Sequence, residues 1–165
     1  MQRPVSSSGW NLWRAVVGLA YLAAAGFNTV YTLPRADELD GYADGAWFAF
    51  LGDFIRDFWM PNGTPLMILV ILFEIAVGLA ILSQGRMVDL GVVASLLWVL
   101  AVLPFLAWPY LLTNVVLALL QGVLLLRRYD RSIPSLIARF RVDRSAPSDS
   151  ADESPSHRQR ASTKN

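Results

Sequence analysis

Residues 69–82 read LVILFEIAVGLAIL. Thirteen of these fourteen residues are apolar or glycine, and the remaining one, Glu74, lies near the centre of the run. Extended back to Pro65, the run approaches the length of a transmembrane helix. A carboxyl group in the middle of such a helix is costly to bury, and ionisable residues inside membranes are functional candidates by default. Glu74 is therefore the first candidate site residue.

The composition of the whole chain is that of an integral membrane protein. Of its 165 residues, 55% are hydrophobic and only 16% are charged, whereas charged residues make up about a quarter of a soluble domain. The mean hydropathy is +0.43. We therefore predict a protein of the cell membrane whose first partner is the lipid bilayer, with no nucleic-acid partner.

The inventory of metal-ligating residues is small. The chain has no cysteine, and its one histidine, His157, lies in a polar C-terminal stretch. Disulfides, thiolate ligands and cysteine nucleophiles are excluded, and a haem or zinc site inside the membrane lacks its usual ligands. We expect no cofactor bound through Cys or His.

Four segments approach the roughly 20 residues that cross the hydrocarbon core of a bilayer. They predict an all-α fold, a transmembrane four-helix bundle, within a membrane domain at 12–130. The predicted spans are 13–32, 65–82, 88–106 and 109–127. Because Pro104 and Pro109 bracket a short turn, the third and fourth spans are predicted to form an antiparallel pair.

The distribution of arginine predicts the orientation, because Lys and Arg are enriched in cytoplasmic loops. Two arginines occur in 1–14, one lies between spans two and three, and six occur in 127–144. The loop at 33–64 instead carries six acidic residues and only two arginines. We predict that both termini are cytoplasmic, with 1–11 as a short N-terminal segment, and that the acidic loop faces outward.

This outward loop contains a predicted amphipathic helix at 46–60. Its polar residues Asp53, Arg56 and Asp57 cluster on one part of the helical wheel. The segment is too polar to span the bilayer, so we expect an interfacial helix between spans one and two, or a lid packed on the bundle. The sequence at 61–63 is predicted to break the helix before span two. The apolar face consists of Trp47, Phe50, Leu51, Phe54, Ile55 and Phe58.

The chain ends in two polar segments. Residues 131–144 form a basic amphipathic juxtamembrane segment, which is predicted to rest on the anionic cytoplasmic leaflet. Residues 145–165 lack large apolar groups and are predicted to be a disordered cytoplasmic tail.

Polar residues within the spans usually face the bundle interior, where they bond to one another. With a rise of about 1.5 Å per residue, three of them lie close to the depth of Glu74. They are Tyr21, Ser95 and Gln121. The sequence therefore predicts a central polar cluster made of Glu74 and these three side chains.

Two asparagines and one arginine lie at other depths. Asn28 and Asn114 share a level nearer the outside and are predicted to form an upper pair. Arg14 lies about 14 Å further toward the cytoplasm than Glu74. A salt bridge between Arg14 and Glu74 therefore requires span one to begin deeper in the membrane and the Arg14 side chain to extend toward Glu74.

Glu74 has two main interpretations. Burial disfavours the ionised carboxylate, so Glu74 can be a neutral acid that donates one hydrogen bond and locks helices together. Alternatively, it handles protons or binds a polar ligand. The remaining interpretation is a lipid-facing position without a role.

Three stretches carry a family resemblance: WRAVVGLAYLAAAGFN in span one, FEIAVGLAILSQGR at the end of span two, and TNVVLALLQGVLLLRRYD in span four. They resemble the DoxX/DoxD-like family of small four-helix membrane proteins, over about residues 12–130. The shared features are an arginine entering the first helix, a re-entrant or interfacial segment before the second, and an E-x-x-x-G-L motif inside it. The family pattern maps onto Arg14, Asn28, Glu74 and Gly78.

The resemblance implies a membrane subunit associated with respiratory or sulfur oxidoreductases, in one branch linked to quinone-coupled thiosulfate oxidation. Without Cys or membrane His ligands, such a subunit has to act by binding quinone or a partner subunit. The first hypothesis is therefore a non-catalytic accessory of a membrane redox system, with an oxidoreductase partner and with contact to quinone or lipid. It predicts a lipid-sized cleft near Glu74.

The alternative is a small proton-coupled membrane transporter that uses Glu74. It predicts a continuous polar path from the acidic loop to the cytoplasm, but no inverted repeat or Gly/Pro-broken span supports it. A third hypothesis is an enzyme acting on a lipid or isoprenoid, with Glu74 as acid or base. No nucleophile–base pair or metal motif accompanies Glu74, so we predict no catalytic activity of the chain's own.

Overall fold

The computed structural model describes residues 4–38, 40–108 and 110–138. Over these ranges the chain is helical and contains no β-strand. A short helical segment also occupies 133–138, whereas 139–144 and the predicted tail at 145–165 lie outside the described residues. The helices are α1 (Ser8–Phe27), α2 (Gly41–Asp44), α3 (Ala49–Phe54), α4 (Gly63–Leu82), α5 (Arg86–Val102) and α6 (Tyr110–Gly122).

Three helical paths in the described ranges are long and apolar enough to cross a membrane. They are Ser8–Arg35, Ala49–Leu82 and Arg86–Phe105. The predicted fourth span corresponds to a shorter apolar helix, Tyr110–Leu126. It begins directly after Pro109, which is not among the described residues.

The outer surface of the helices is apolar, as expected for a protein surrounded by lipid. Large hydrophobic side chains that point away from the helix contacts are more than half exposed. Examples are Leu12, Leu19, Leu69, Leu72, Leu79, Leu90, Leu97 and Leu119. The helices are therefore compatible with a membrane location.

The two ends of the bundle differ. At one end, called here the terminus end, the N–H of Gly85 donates to the carbonyl of Tyr129 at 2.6 Å, and Val5 pairs with Arg128. This end holds the start of α1, the α4–α5 turn and the segment after α6. The opposite end, called the loop end, holds the 33–62 segment and the α5–α6 turn. Since α5 begins and α6 ends at the terminus end, the two helices are antiparallel, as predicted.

Glycine allows α1 and α4 to approach closely. A Cβ on Gly78 would lie 2.9 Å from the carbonyl oxygen of Gly18 and 2.9 Å from the side chain of Leu22. A Cβ on Gly91 would lie 2.9 Å from that of Ala80, so α5 also packs tightly on α4. Small residues at such crossings are characteristic of membrane helix packing.

The helical path through the loop changes type before span two. A π-helical turn (Ile55–Trp59) and a 3₁₀ turn (Met60–Asn62) lie between α3 and α4, so regular α-helix is broken before span two, as expected at 61–63, although the turns follow one another directly. Proline is tolerated at the first positions of a helical turn, where its missing N–H has no partner to lose. Asn62 leaves helical geometry, with φ −115° and ψ 20°, and α4 begins at the next residue, Gly63.

Candidate functional site

Glu74 lies inside the bundle and pairs with Asn28. The Asn28 Nδ2 donates to both carboxyl oxygens of Glu74 at 2.9 Å, and Glu74 is only 7% exposed. The pair joins α4 to the end of α1. Glu74 therefore does not face the lipid.

A π-helical turn (Asn28–Thr32) presents Asn28 in this position. The N–H of Leu33 bonds to the carbonyl of Asn28, five residues back, in place of the usual four. The Thr32 hydroxyl donates to Asn28 Oδ1 at 2.8 Å, so the amide nitrogen faces Glu74 and the amide oxygen faces Thr32. Single π turns inside helices frequently mark functional sites.

A second polar group lies closer to the terminus end. The Tyr21 hydroxyl donates to Gln121 Oε1 at 3.2 Å, and the Ser95 hydroxyl lies 2.7 Å from the same oxygen. Ser95 Oγ is also 2.7 Å from the carbonyl oxygen of Val92, one turn earlier in α5. Ser95 and Gln121 are buried. This group connects α1, α5 and α6.

The predicted central cluster is thus divided. Tyr21, Ser95 and Gln121 come together as expected, whereas Glu74 bonds to Asn28 instead. The contact of Gly18 with Gly78 sets the register of the antiparallel pair, and by it Tyr21 does lie near the level of Glu74.

Side-chain direction explains the division. Side chains tilt toward the N-terminus of their own helix, so Glu74 leans toward the loop end and Tyr21 toward the terminus end. Asn28 leans toward the terminus end, and therefore toward Glu74. By the register, the Cα atoms of Asn28 and Glu74 are offset by six residues, or about 9 Å, which the two converging side chains bridge.

The predicted pair of Asn28 and Asn114 does not form. Asn114 Nδ2 donates to the carbonyl of Tyr110 in its own helix at 3.0 Å. Since α6 begins at the loop end, Asn114 leans toward that end while Asn28 leans away from it. The expectation of an upper asparagine pair is therefore wrong.

Arg14 also stays apart from Glu74. Its two terminal nitrogens donate to the carbonyls of Ser83 at 2.9 Å and of Arg131 at 2.8 Å, and its guanidinium lies 4.6 Å from the ring centroid of Tyr129. The side chain is fully buried. Arg14 thus fastens the start of α1 to the α4–α5 turn and to the segment after α6.

A cleft of about 470 Å³ lies at the loop end between α1, α4 and α5. Its walls are mostly aromatic and aliphatic, and the 42–59 segment contributes to them. Asn28 and Thr32 supply polar atoms at one edge, so the cleft touches the Glu74 pair through Asn28. The residues around it are Phe27, Asn28, Thr32, Tyr42, Phe54, Ile55, Trp59, Met67, Val70, Trp98, Ala101, Val102, Phe105 and Leu106.

Sequence reasoning missed Thr32 as a member of the site. The signal was its spacing, since Thr32 follows Asn28 by four residues and so lies on the same helical face. Trp59 was not predicted to line a cleft either, because it was assigned to an interfacial helix that ends before span two. No three His, Asp or Glu side chains within the described ranges are grouped so that they could hold a metal.

Comparison with known proteins adds no relative. No family model, no curated protein and no solved structure matches the chain. The likeness of Arg14, Asn28, Glu74 and Gly78 to the DoxX/DoxD-like pattern therefore stays a hypothesis drawn from the sequence.

Proposed function

We propose that the chain is a four-span membrane protein that binds a quinone- or lipid-like molecule in the loop-end cleft. The observation that carries this proposal is the cleft itself, which combines about 470 Å³ of mostly apolar wall with the hydrogen-bonding groups of Asn28 and Thr32. Small-molecule sites commonly have this make-up, with apolar walls and a few fixed polar groups.

The polar edge suits a ligand that carries a hydroxyl group, such as a quinol or a lipid. The donors of Thr32 and Asn28 are already used within the site, but the Thr32 hydroxyl oxygen and Asn28 Oδ1 each keep a lone pair that can accept a hydrogen bond from the ligand. Glu74 holds the amide in place from the side away from the cleft. Glu74 is then a positioning residue, and it keeps this role whether or not its proton moves.

The proposed topology places the loop end outside the cell and both termini in the cytoplasm. The 17 residues of Tyr110–Leu126 lie at the lower limit of the 17–25 that span a bilayer, which supports a fourth crossing. The excess of arginine in the segments at the terminus end supports the orientation.

The 46–60 segment is proposed to lie in the outer interface. Phe50, Phe54 and Phe58 recur every four residues on one side, and they are 67%, 42% and 49% exposed. On the other side, Gly52 packs against the backbone of Ala43. Aromatic side chains at the headgroup level are typical of membrane proteins, so this row suits an anchor that also covers the cleft.

We further propose that the chain is a non-catalytic accessory of a membrane redox system, with an oxidoreductase as its partner. This part of the proposal rests on the resemblance to the DoxX/DoxD-like family. A chain without cysteine, whose one histidine lies in the tail, lacks the usual ligands for metal-borne electron transfer, so it would serve such a system by binding quinone or a partner subunit.

Quinone binding can be followed by fluorescence, because Trp59 and Trp98 line the cleft. The full chain in lipid nanodiscs is titrated with a decyl-substituted benzoquinone, which quenches tryptophan. Saturable quenching is expected, and Ala101→Phe is expected to abolish it by filling the cleft. Leu97→Phe is the matched control, because Leu97 lies one turn away on α5, is 61% exposed and does not line the cleft.

Quenching that rises linearly with quinone in all three proteins would mean simple partitioning into lipid, and would overturn quinone as the ligand. Saturable quenching that Ala101→Phe leaves intact would move the site away from the cleft.

A further inference from the structure

A second cavity, called here the side cavity, adjoins the cleft at the loop end. It has a volume of about 440 Å³ and lies between the loop at 38–45 and the start of α6. Tyr42, Phe105 and Leu106 line both spaces. The side cavity takes no part in the quinone- or lipid-binding function proposed above.

The walls of the side cavity combine one carboxylate with aromatic rings. Glu38 contributes the carboxylate, and Tyr42, Phe105 and Tyr110 contribute the rings. None of its described lining residues is Arg or Lys. An anionic group would meet Glu38 without a compensating cation, whereas a cation would meet both a carboxylate and ring faces.

The surroundings strengthen this preference. Asp37 and Asp40 lie beside Glu38 in the loop, Arg35 lies three residues before it, and the guanidinium of Arg56 pairs with Asp44 at 2.7 Å. The four carboxylates of this stretch outnumber the two arginines, so the balance of charge around the cavity is negative. Carboxylates and aromatic rings arranged in this way recognise organic ammonium groups through charge and through cation–π attraction.

We propose that the side cavity is a binding site for an organic ammonium group. The Glu38 carboxylate faces the charge, and the rings of Tyr42 and Tyr110 contact the methyl or methylene groups around it. Because the side cavity adjoins the cleft, an ammonium that carries an apolar tail can extend that tail past Phe105 and Leu106.

The test uses a pair of probes that differ only in charge. Choline and its neutral carbon isostere 3,3-dimethylbutanol are each titrated into the full chain in dodecyl maltoside, a detergent without an ammonium group. Binding is read by saturation-transfer NMR of the methyl protons. Choline is expected to bind, and the isostere to bind at least about three times more weakly, as cation–π and ion-pair contributions at an exposed site predict.

Two substitutions that each remove one negative charge test whether choline binds in the side cavity. Glu38→Gln is expected to weaken choline binding by about three- to tenfold. Asp37→Asn removes the same charge one residue away, from a side chain that does not line the cavity, and is expected to have a smaller effect. The proposal is overturned if choline and the isostere bind equally, or if the two substitutions have equal effects. It is also overturned if neither choline nor dodecyltrimethylammonium, the same ammonium group with an apolar tail, binds.

Filling variants separate this site from the cleft and identify the source of the ammonium. Ala107→Phe fills the side cavity alone and is expected to abolish choline binding, whereas Ala101→Phe fills the cleft alone and is expected to preserve it. Dodecyltrimethylammonium that binds more tightly than choline, and loses this advantage in Ala101→Phe, indicates a lipid-like ligand. Equal binding of the two probes indicates a free small cation. Because choline is not expected to enter the cleft, the two proposals can fail separately. Choline binding can be absent while quinone binds, and quinone binding can be absent while choline binds.

Discussion

The hydrogen bond between Asn28 and Glu74 is expected to couple the end of α1 to the middle of α4, and a double-mutant cycle measures that coupling. Asn28→Leu leaves the carboxyl of Glu74, which is 7% exposed, without the donor that holds it. Glu74→Leu leaves the Asn28 amide nitrogen without its acceptor. The double substitution removes both polar groups together.

The expected magnitudes follow from the cost of leaving a buried polar group unpaired. Each single substitution should lower the free energy of unfolding by about 1 kcal/mol, at the lower end of the cost of an unpaired buried polar group, and the double substitution by about 1 kcal/mol in total, because it leaves neither partner unpaired. Hydrogen bonds between membrane helices average about 0.6 kcal/mol and reach about 1.7. Because Asn28 contacts both carboxyl oxygens, we expect a coupling of about 1 kcal/mol, within this range.

The assay is equilibrium unfolding of the full chain in mixed dodecyl maltoside and dodecyl sulfate micelles, followed by circular dichroism. A cycle of Asn28→Leu with Gln121→Leu serves as the control, because Gln121 belongs to the separate group with Tyr21 and Ser95. The control cycle should be additive within about 0.5 kcal/mol. If the Asn28–Glu74 cycle is equally additive, the pair does not couple the helices and the reasoning fails.

Three further experiments test other parts of the structure. Gly78→Ala should cost about 1–3 kcal/mol of unfolding free energy, because its Cβ would lie 2.9 Å from the Gly18 carbonyl oxygen. The control is Gly26→Ala, whose Cβ meets no atom within 4 Å and which should be neutral or stabilising. Equal effects of the two substitutions in the same unfolding assay would refute the close approach of α1 and α4. Arg14→Met should lower the free energy of unfolding by about 2 kcal/mol or more, because two carbonyls lose a charged donor. Arg14→Lys should recover only part of this stability in thermal melts, because an ammonium cannot reproduce the fork of the guanidinium. Full recovery would mean that charge alone matters. Glu74→Gln keeps the size and one of the two oxygens that Asn28 contacts, so quinone affinity should be unchanged and the melting temperature should fall only slightly. Activity that is lost in a proton-driven uptake assay, with only this slight fall in melting temperature, would instead favour a working proton.

The helices were largely predictable because apolar runs and their flanking residues bound them. The span predicted at 65–82 is α4 at Gly63–Leu82, and the span predicted at 88–106 is α5 with the 3₁₀ turn that follows it, Leu103–Phe105. Prolines, glycines and arginines beside the runs mark the ends, which is why these bounds agree within a few residues.

The pairing of polar groups was only partly predictable. The rise per residue gives the depth of each side chain in its span. Similar depths correctly predicted that Tyr21, Ser95 and Gln121 lie together. Depth alone misplaced Glu74 and Asn114, because it ignores the tilt of each side chain toward its own helix N-terminus. In antiparallel helices this tilt separates side chains whose Cα atoms lie at the same level. It brings together side chains whose Cα atoms are offset along the helices, such as those of Glu74 and Asn28.

The loop end could not be derived from local patterns. The π turn (Ile55–Trp59) and the 3₁₀ turn (Met60–Asn62) that precede α4 have no signal in the apolar periodicity of the sequence. Gly63 packs on the backbone of Ala36, and the indole of Trp47 donates to the Leu106 carbonyl at 3.3 Å. These long-range contacts tie the 33–62 segment to the bundle, and residues of this segment line both cavities.

The central claim is that the loop-end cleft holds a quinone- or lipid-like molecule. The most direct test is native mass spectrometry of the full chain taken from its membrane in nanodiscs, comparing the wild type with Ala101→Phe and Leu97→Phe. We predict one retained adduct with the mass of a quinone or lipid on the wild type and on Leu97→Phe, and none on Ala101→Phe. An adduct retained equally by all three, or by none, would contradict the claim.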